Sequence, residues 1–269
     1  MSEKIKLYSF WTEDGKVYEY LEDHLNLTFN IYVTFFEKRI LKILASRLNR
    51  KADDTLMFIV RLAPIMHDIG KAHDSYQKNI GRVKPNFSWH EVLSAQVCWN
   101  LMEAFRYASH VPSREFETLK RMVVAAIISH HQAIRDVERT FPPKWIVLSL
   151  WELEPLYPLM LKLLNLASKE IKPNIDYGKV VRLTLNGIRD TIRICRGSLG
   201  IMRDRIFEYI GRPPKPYSIL TGTIVLCDWL SAEKTRPSSY KSPMLKEAEH
   251  AFPEIMSQVS HSLCEGTED

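Results

Sequence analysis

The segment 67-HDIGKAHD-74 brings two histidines, two aspartates and one lysine together at the end of an apolar stretch. Imidazole and carboxylate groups are common ligands of divalent transition metals. Lys71 follows His67 by four residues and Asp68 by three, so these side chains share one side if the helical turn continues. An ammonium group at this position would face an anion. The H-D pair alone is a weak signal, so the segment indicates a metal site only if the rest of the chain supplies further ligands.

The rest of the chain supplies further histidines and one more aspartate at comparable places on predicted helices. They are His24, His90, His130, His131 and Asp228. Asp228 lies inside an apolar helix, where a carboxylate is costly unless it is paired or bound to a metal. With His67 and Asp68, the set is about what two metal ions with open positions need. Imidazole-rich ligation favours manganese, iron, cobalt, nickel or zinc, with magnesium as the alternative.

The order of these motifs resembles the HD superfamily of metal-dependent phosphohydrolases. The matching residues are E-D-H-L at 22–25, H-D-I-G-K-A at 67–72, Tyr76-Gln77, H-E-V-L-S-A at 90–95, His130-His131 and C-D-W-L-S-A at 227–232. Within this superfamily, the early histidine and the His-His doublet are most similar to the CRISPR-associated HD nuclease of type I systems. The resemblance extends over most of the chain.

The resemblance implies two metal ions and divides the ligands between them. One ion would be held by His24, His67, Asp68 and Asp228. The other would be held by Asp68, His90, His130 and His131, with Asp68 as the bridge. Lys71 would contact the scissile phosphate or a metal-bound oxygen, and Asp68 and Lys71 are the expected catalytic residues. Ser94 and Ser231 would support the ligands or contact the substrate.

The function implied by the resemblance is metal-dependent hydrolysis of phosphodiester bonds in single-stranded DNA, with RNA as the alternative polymer, by a two-metal mechanism. The context would be CRISPR type I interference. The sequence contains no G-x-x-x-x-G-K-[ST] loop, although many relatives are fused to a superfamily 2 helicase. The expected partners are therefore a separate helicase subunit and a crRNA-guided surveillance complex.

Two other functions stay open at this point. An HD-type nucleotide or cyclic-nucleotide phosphohydrolase would use the same metal ligands and would hydrolyse mononucleotides instead of polymers. A non-catalytic assembly subunit of a nucleic-acid complex would act through protein contacts. The complete ligand set disfavours the second alternative, because a decayed site usually lacks at least one ligand.

Helical periodicity dominates the chain and predicts a single all-α domain of HD type over residues 1–264, followed by a polar tail at 265–269. The start differs, because aromatic-rich runs at 5–11 and 16–21 flank T-E-D-G and predict a small N-terminal β-hairpin. Helices are predicted over 23–50, 54–70, 88–107, 113–127, 159–171, 176–210 and 216–234, with a weaker one after a Pro/Ser loop. Ser88 and Glu91 form a capping box, and Gly70 suits a helix end.

Other polar and aromatic residues show weaker patterns. Five arginines share one face if 176–210 is a single helix, which predicts a phosphate-tracking stripe or a merely solvated face. They are Arg182, Arg189, Arg193, Arg196 and Arg203. His73 and Asp74 are expected in a solvated loop and not among the ligands. Three further histidines are expected at the surface: His110, His250 and His261. Most tryptophans are expected in the core, and Trp145, after a proline loop, fits an exposed position.

The composition is that of a soluble globular protein. The chain has 269 residues, of which 45% are hydrophobic and 26% charged, and it lacks the run of about eighteen apolar residues that crosses a membrane. The N-terminus has no apolar signal segment, so a cytoplasmic protein is expected. The four cysteines form no C-x-x-C pair and predict reduced core thiols instead of a zinc ribbon. A net charge of +5 is compatible with a polyanionic partner.

Overall fold

The computed structural model describes residues 6–12, 15–78, 80, 86–109, 113–131, 142–171 and 175–236. Within these ranges the chain is mostly helical and has one sheet, formed by strands β1 (Tyr8–Trp11) and β2 (Tyr18–Tyr20). The helices are α1 (Leu21–Ile31), α2 (Glu37–Arg47), α3 (Asp54–Met66), α4 (Asp74–Gln77), α5 (His90–Ser109), α6 (Ser113–Ser129), α7 (Leu156–Ala167), α8 (Tyr177–Ile194), α9 (Leu199–Ile210) and α10 (Tyr217–Thr235). The predicted all-α fold with an N-terminal hairpin is confirmed.

The N-terminal hairpin packs against α1 and delivers one carboxylate to the interior. The strands are antiparallel, with Phe10 opposite Glu19 and Trp11 opposite Tyr18. Successive side chains of a strand point to opposite faces. Tyr18 and Tyr20 are therefore exposed, whereas Glu19 between them is buried.

The helix α3 is central to the fold. Every residue from Phe58 to Met66 is buried, because α1, α6 and α7 pack around this helix. A helix that is apolar on all sides has no solvent face. Its C-terminal end therefore lies inside the protein, and so do His67 and Asp68, the next two residues.

Four other helices approach the C-terminal end of α3. The helix α5 packs against α6 and against the 3-10 turn Ile69–Ala72, and α10 packs against α1 and α6. This arrangement brings the start of α1, the ends of α3 and α6, the start of α5 and the middle of α10 into one region. No helix in the described ranges combines the length and apolar character that a membrane crossing requires.

Two predicted helices differ from the observed ones near the N-terminal half of the chain. The helix predicted over 23–50 is interrupted by one π-helical turn, Tyr32–Phe36, which inserts a wider turn between α1 and α2. The helix predicted from Ser88 begins two residues later, at His90. Trp89 has a φ of 74°, which is outside the helical region. The predicted capping box is therefore wrong.

The single helix predicted over 176–210 is two helices, α8 and α9. The chain turns between them, where Arg196 and Gly197 have φ values of 50° and 70°. Ser198 then begins α9, because its side chain accepts a hydrogen bond from the backbone N–H of Ile201. The periodicity of the sequence continues through this turn and conceals it.

Some predictions fall outside the described residues. They are the weak last helix, the polar tail at 265–269 and the surface positions of His110, His250 and His261. The boundary of one domain at residue 264 stays a prediction.

Candidate metal centre

Two groups of four side chains in the described part of the chain have the composition and spacing of metal sites. The first group is His24, His67, Asp68 and Asp228. The second group is Asp68, His90, His130 and His131. Within each group, the ligand atoms all lie within 4.8 Å of one another. The groups coincide with the two ligand sets that the sequence resemblance implies, and Asp68 belongs to both.

Five helices contribute to this centre. His24 lies in the first turn of α1, His67 and Asp68 follow α3, His90 begins α5, His130 and His131 follow α6, and Asp228 lies within α10. Six of these seven residues are buried, and His131 is half-buried. Helix ends allow the side chains to converge while the helix bodies pack in the core.

Asp68 lies between the two groups and presents one oxygen to each. Its Oδ2 atom is 3.2 Å from Nε2 of His24 and 3.5 Å from Nε2 of His67. Its Oδ1 atom is 2.7 Å from Nε2 of His90 and 3.5 Å from Nε2 of His130. A carboxylate in this position can bind two cations, one through each oxygen.

Asp228 completes the first group from inside α10. Its Oδ1 atom lies 3.1 Å from Nε2 of His24 and 3.6 Å from Nε2 of His67. The same two rings face Oδ2 of Asp68, so the two carboxylates share one small volume. Like charges so close disfavour each other unless positive charge lies between them.

Six ligand atoms are buried and make no hydrogen bond of suitable geometry with any described residue. They are Nε2 of His24, His67, His90 and His130, and both carboxylate oxygens of Asp68. Their short contacts are mostly with one another, and Oδ2 of Asp68 also forms an ion pair with Lys71. Buried polar atoms in proteins are otherwise almost always paired. The donor set therefore fits two divalent cations, which would satisfy these atoms together.

Three of the histidines are oriented by the backbone of their own helix end. In each case Nδ1 contacts the carbonyl oxygen of the residue three positions earlier. The pairs are His67 with Pro64, His90 with Phe87, and His130 with Ile127. A carbonyl oxygen can only accept, so Nδ1 carries the proton and Nε2 keeps the lone pair that binds a metal.

Burial and neighbouring charges shift the pKa values of the two aspartates and of His24 in opposite directions. Burial alone would raise the pKa of Asp68, but Lys71 and the surrounding histidines hold that pKa well below its usual range. The pKa of Asp228 is lowered in the same way by its histidine neighbours. Burial would lower the pKa of His24, but Glu19 and both aspartates raise it to about 10. The aspartates are therefore anionic in the metal-free protein and attract cations.

The pKa values of three further histidines shift in different directions, according to burial and to their charged neighbours. Burial lowers the pKa of His67. Burial, reinforced by His130 and His90, holds the pKa of His131 well below its usual range. At His130, the influence of Asp68 outweighs burial and raises the pKa. Neutral imidazole is the form that binds metals, so His67 and His131 release no proton when they bind.

The turn after α3 presses closely against the start of α5. A Cβ atom on Gly70 would lie 2.2 Å from the carbonyl oxygen of His90 and 2.7 Å from the backbone N of Ser94. The Gly70 N–H donates a hydrogen bond to Ser94 Oγ at 2.9 Å. The prediction that Gly70 ends the helix is wrong, because α3 ends at Met66. Gly70 instead allows the close approach that brings Asp68 to His90.

Lys71 lies at the edge of the centre and is 7% exposed. Its Nζ atom is 2.5 Å from Oδ2 of Asp68 and 5.1 Å from the ring centre of Phe87. Gln77 Nε2 donates hydrogen bonds to the carbonyl oxygens of Lys71, at 2.7 Å, and Tyr8, at 2.9 Å. The hairpin is thereby fastened to the segment that carries Lys71.

A row of three aromatic side chains extends from Lys71 towards the surface. The ring centre of Tyr76 lies 5.6 Å from that of Phe87 and 5.5 Å from that of Trp145. Trp145 is 40% exposed, as the proline loop before it predicts. A path of contacting rings therefore joins the edge of the metal centre to an exposed indole.

Both serines expected near the site are fully buried. Ser94 accepts the hydrogen bond from Gly70. The Oγ atom of Ser231 lies 3.3 Å from Nδ1 of His24 and 3.4 Å from its carbonyl oxygen. Both hydroxyl groups contact residues that hold the ligands in place, so the supporting role fits their positions and direct contact with a substrate does not.

His73 and Asp74 belong to neither ligand group, but the prediction of a solvated loop is wrong. His73 is fully buried, and its Nδ1 atom accepts a hydrogen bond from the backbone N–H of Ser75 at 3.0 Å, which caps α4. Its ring centre lies 5.1 Å from that of Trp151. Oδ2 of Asp74 accepts a hydrogen bond from the backbone N–H of Glu152 at 2.6 Å. These contacts anchor the chain before α7.

The five arginines do not form a stripe on one helix. Arg182, Arg189 and Arg193 lie on α8, Arg196 lies in the turn after it, and Arg203 lies on α9. An Nη2 atom of Arg189 is 2.7 Å from Glu154, and Nη1 of Arg193 is 3.3 Å from Asp190. The turn removes the continuous face, and acidic partners offset part of the charge, so a solvated surface fits this region better than a phosphate-tracking stripe.

Glu19 is a residue of the centre that the sequence analysis missed. Its Oε1 atom lies 3.1 Å from Nδ1 of His24, and the side chain is 2% exposed. The usable signal was the alternation in Y-E-Y at 18–20, which points the tyrosines outward and the carboxylate inward. A buried carboxylate needs a partner, and His24, five residues later, is one candidate in the sequence.

The helical fold and the two ligand sets that share the aspartate of an H-D pair define a metal-dependent phosphohydrolase of the HD type. The family model described as "Cas3, HD domain" matches residues 12–236, and the chain belongs to that family. It is therefore an HD-type metal-dependent nuclease of the CRISPR systems in which this family acts. No curated protein matches the chain.

Proposed function

We propose that the chain hydrolyses phosphodiester bonds of single-stranded DNA by a two-metal mechanism, as the nuclease of a type I CRISPR system. The observation that carries the proposal is the position of Asp68, where two groups of four ligands meet at one carboxylate. When bound, the two ions would activate water and offset the charge that develops on the phosphoryl oxygens. Phosphodiester hydrolysis is one of the reactions that such a pair of ions supports.

The protein's own residues hold and orient the reacting groups. Asp68 fixes the spacing of the two sites, and three backbone carbonyls fix the histidine rings. Lys71 lies beside Asp68 and is positioned to bind a phosphate oxygen through its ammonium group. In a buried site such preset charges stabilise the transition state more strongly than they would in water.

The candidate ligands are mostly buried, and this restricted access favours a single strand over a duplex as the substrate. His131 is the half-buried ligand, and the other six are buried. A flexible strand can extend one phosphate into such a site, whereas a duplex holds its phosphates on a wide, stiff surface. The exposed ring of Trp145, joined to Phe87 through Tyr76, adds a surface on which bases can stack. RNA meets the same conditions and is the alternative polymer.

A nuclease for single strands requires a partner that opens the duplex. We propose that a superfamily 2 helicase and a crRNA-guided surveillance complex present the displaced DNA strand to this chain. Co-purification of the chain with both components, in the presence of target DNA, tests this proposal. A chain that binds neither component under these conditions contradicts the assignment of partners but leaves the chemistry untouched.

One panel of activity assays tests the proposed chemistry. Labelled single- and double-stranded DNA and RNA, mononucleotides and cyclic nucleotides are incubated with the chain and with Mg²⁺, Mn²⁺, Co²⁺, Ni²⁺ or Fe²⁺. We expect metal-dependent cleavage of single-stranded DNA that a chelator abolishes. The Asp68→Ala chain serves as the matched control for contaminating nucleases.

Three results of the panel would contradict the proposal. Cleavage that resists the chelator would exclude a metal mechanism. Efficient hydrolysis of mononucleotides or cyclic nucleotides, with intact polymers, would favour the small-substrate phosphohydrolase. A chain that binds the metals but hydrolyses none of these substrates would favour the assembly subunit.

A further inference from the structure

The carboxylate of Glu19 connects three elements that are distant in the sequence. Ser9 Oγ, on β1, donates a hydrogen bond to Oε2 at 2.7 Å. At the end of α10, the hydroxyl of Thr235 donates to Oε1, and Nη2 of Arg236 donates to Oε2 at 3.0 Å. The fourth contact is Nδ1 of His24, in α1, which lies 3.1 Å from Oε1. Both oxygens are therefore fully used.

His24 is held differently from the other histidines that direct Nε2 into the centre. Those three donate Nδ1–H to a backbone carbonyl three residues earlier. For His24 the acceptor is the side chain of Glu19, which lies on a strand and carries a negative charge. The opposite ring atom, Nε2, lies 3.1 Å from Asp228 and 3.2 Å from Asp68.

We propose that Glu19 is a positioning residue of the first metal site. By accepting the Nδ1 proton, it keeps Nε2 of His24 available as a ligand, and its charge makes the ring a stronger electron donor. The inference rests on the proposed function, because it requires an ion between His24, Asp68 and Asp228. It gives the N-terminal hairpin a role in metal binding.

A purely structural role is the competing explanation, because Glu19 also fastens the hairpin to α10 through Arg236. Two variants separate the explanations. Glu19→Gln keeps the size of the side chain and one acceptor oxygen but removes the charge that faces His24. Arg236→Met removes the fastening charge and leaves the contact between Glu19 and His24 in place. Both variants are expected to unfold at lower denaturant concentration than the wild type.

The decisive measurement is the affinity of each metal site for Mn²⁺, determined by calorimetry on the metal-free full chain. The first site is measured in a chain that also carries His131→Ala, because this change removes a ligand of the second site. The second site is measured in a chain that also carries Asp228→Ala, because this change removes a ligand of the first. We expect Glu19→Gln to raise the first-site Kd about 10- to 100-fold, the usual effect of losing a carboxylate behind a histidine ligand. The second-site Kd should stay within about twofold, and Arg236→Met should leave both values within the same range.

Several outcomes overturn the inference. A wild-type first-site Kd in the Glu19→Gln chain would show that the contact with His24 is irrelevant to metal binding. Equal weakening of both sites, or the same weakening in Arg236→Met, would show that Glu19 acts through the fold. Circular dichroism shows whether each variant is folded before its Kd values are compared with those of the wild type and of Arg236→Met. A wild-type chain that binds no Mn²⁺ contradicts the proposed function itself, and the inference with it.

Discussion

Oδ1 of Asp68 lies 2.7 Å from Nε2 of His90, while the other oxygen of the same carboxylate faces His24 at 3.2 Å. One side chain therefore belongs to both groups of candidate ligands. The two groups are linked through this residue and are not merely adjacent. Removing Asp68 should affect both sites, and removing a histidine should affect one.

Asp68→Ala is accordingly expected to lose both ions and nearly all activity, with a fall in cleavage rate of more than about 100-fold. His130→Ala should weaken mainly the second ion, because the first group is unchanged. Metal content per chain after dialysis, measured by elemental mass spectrometry, tests both statements. An Asp68→Ala chain that keeps both ions and cuts at the wild-type rate would show that this segment is an ordinary helix end.

Lys71→Met is expected to keep the metals and slow the reaction by about 100-fold, since the ammonium group stabilises charge that develops in the transition state. Methionine preserves most of the apolar stem that packs near Phe87. Single-turnover cleavage at saturating Mn²⁺, combined with metal content, measures the effect. A chain that has lost its ions would assign Lys71 to metal binding, and an unchanged rate would remove it from the mechanism.

Gly70→Ala should disturb the metal centre although it replaces none of the candidate ligands. The added methyl group would meet the carbonyl oxygen of His90, and relief of that clash must separate α5 from the turn that holds Asp68. We expect a loss of about 1–3 kcal/mol in the free energy of unfolding and weaker binding of the second ion.

Gly222→Ala is the matched control for this variant. Gly222 lies within α10, and a Cβ atom there would have nothing within 4 Å. Alanine at such a helical position should raise the free energy of unfolding by about 0.5–1 kcal/mol. Equal effects of the two substitutions in denaturant titrations would contradict the role given to Gly70.

His73 should make the protein sensitive to mild acid. Burial lowers its pKa to about 4, from about 6.5 in an unfolded chain. The folded protein therefore binds this proton less readily than the unfolded chain does. The contribution of neutral His73 to the free energy of unfolding is fully present above about pH 6.5 and is lost as the pH falls towards 4. This loss corresponds to about 3 kcal/mol.

His73→Asn tests the assignment, because asparagine also caps a helix but does not titrate in this range. Urea titrations of metal-free wild type and variant at pH 7, 5.5 and 4 give the free energies of unfolding. The stability difference between them should shift in favour of the variant, by about 3 kcal/mol between pH 7 and 4. A parallel decline of both proteins would assign the acid sensitivity to groups that the two chains share, namely the carboxylates, the buried His67 and the half-buried His131.

The convergence of the candidate ligands in one region was predictable, because burying such polar groups is costly unless they have partners. Asp228 stands in an apolar helix, and His67 and Asp68 end one, so each polar group required a partner inside the protein. Periodicity then supplied the helices that carry them. The pairing of the hairpin followed from its turn residues and aromatic strands.

What the sequence did not reveal depends on backbone geometry at single residues. The positive φ of Trp89 shifts the start of α5, and the positive φ of Arg196 divides a predicted helix, although neither residue type favours that conformation. The close contact of Gly70 with His90 requires the packing of two helices to be known. The alternation in Y-E-Y could have pointed to the burial of Glu19, but its contact with Arg236, at the end of α10, requires the packing to be known.

His24 and Asp228, the first and last ligands, are separated by about 200 residues of chain. During translation the second group is complete once His131 has been added, whereas the first group must wait for α10. Domains form from the N-terminal end as synthesis proceeds, so a growing chain can assemble at most one of the two sites. Under the proposed two-metal mechanism, the centre would therefore stay incomplete in a growing chain until α10 has been synthesised and has packed against α1.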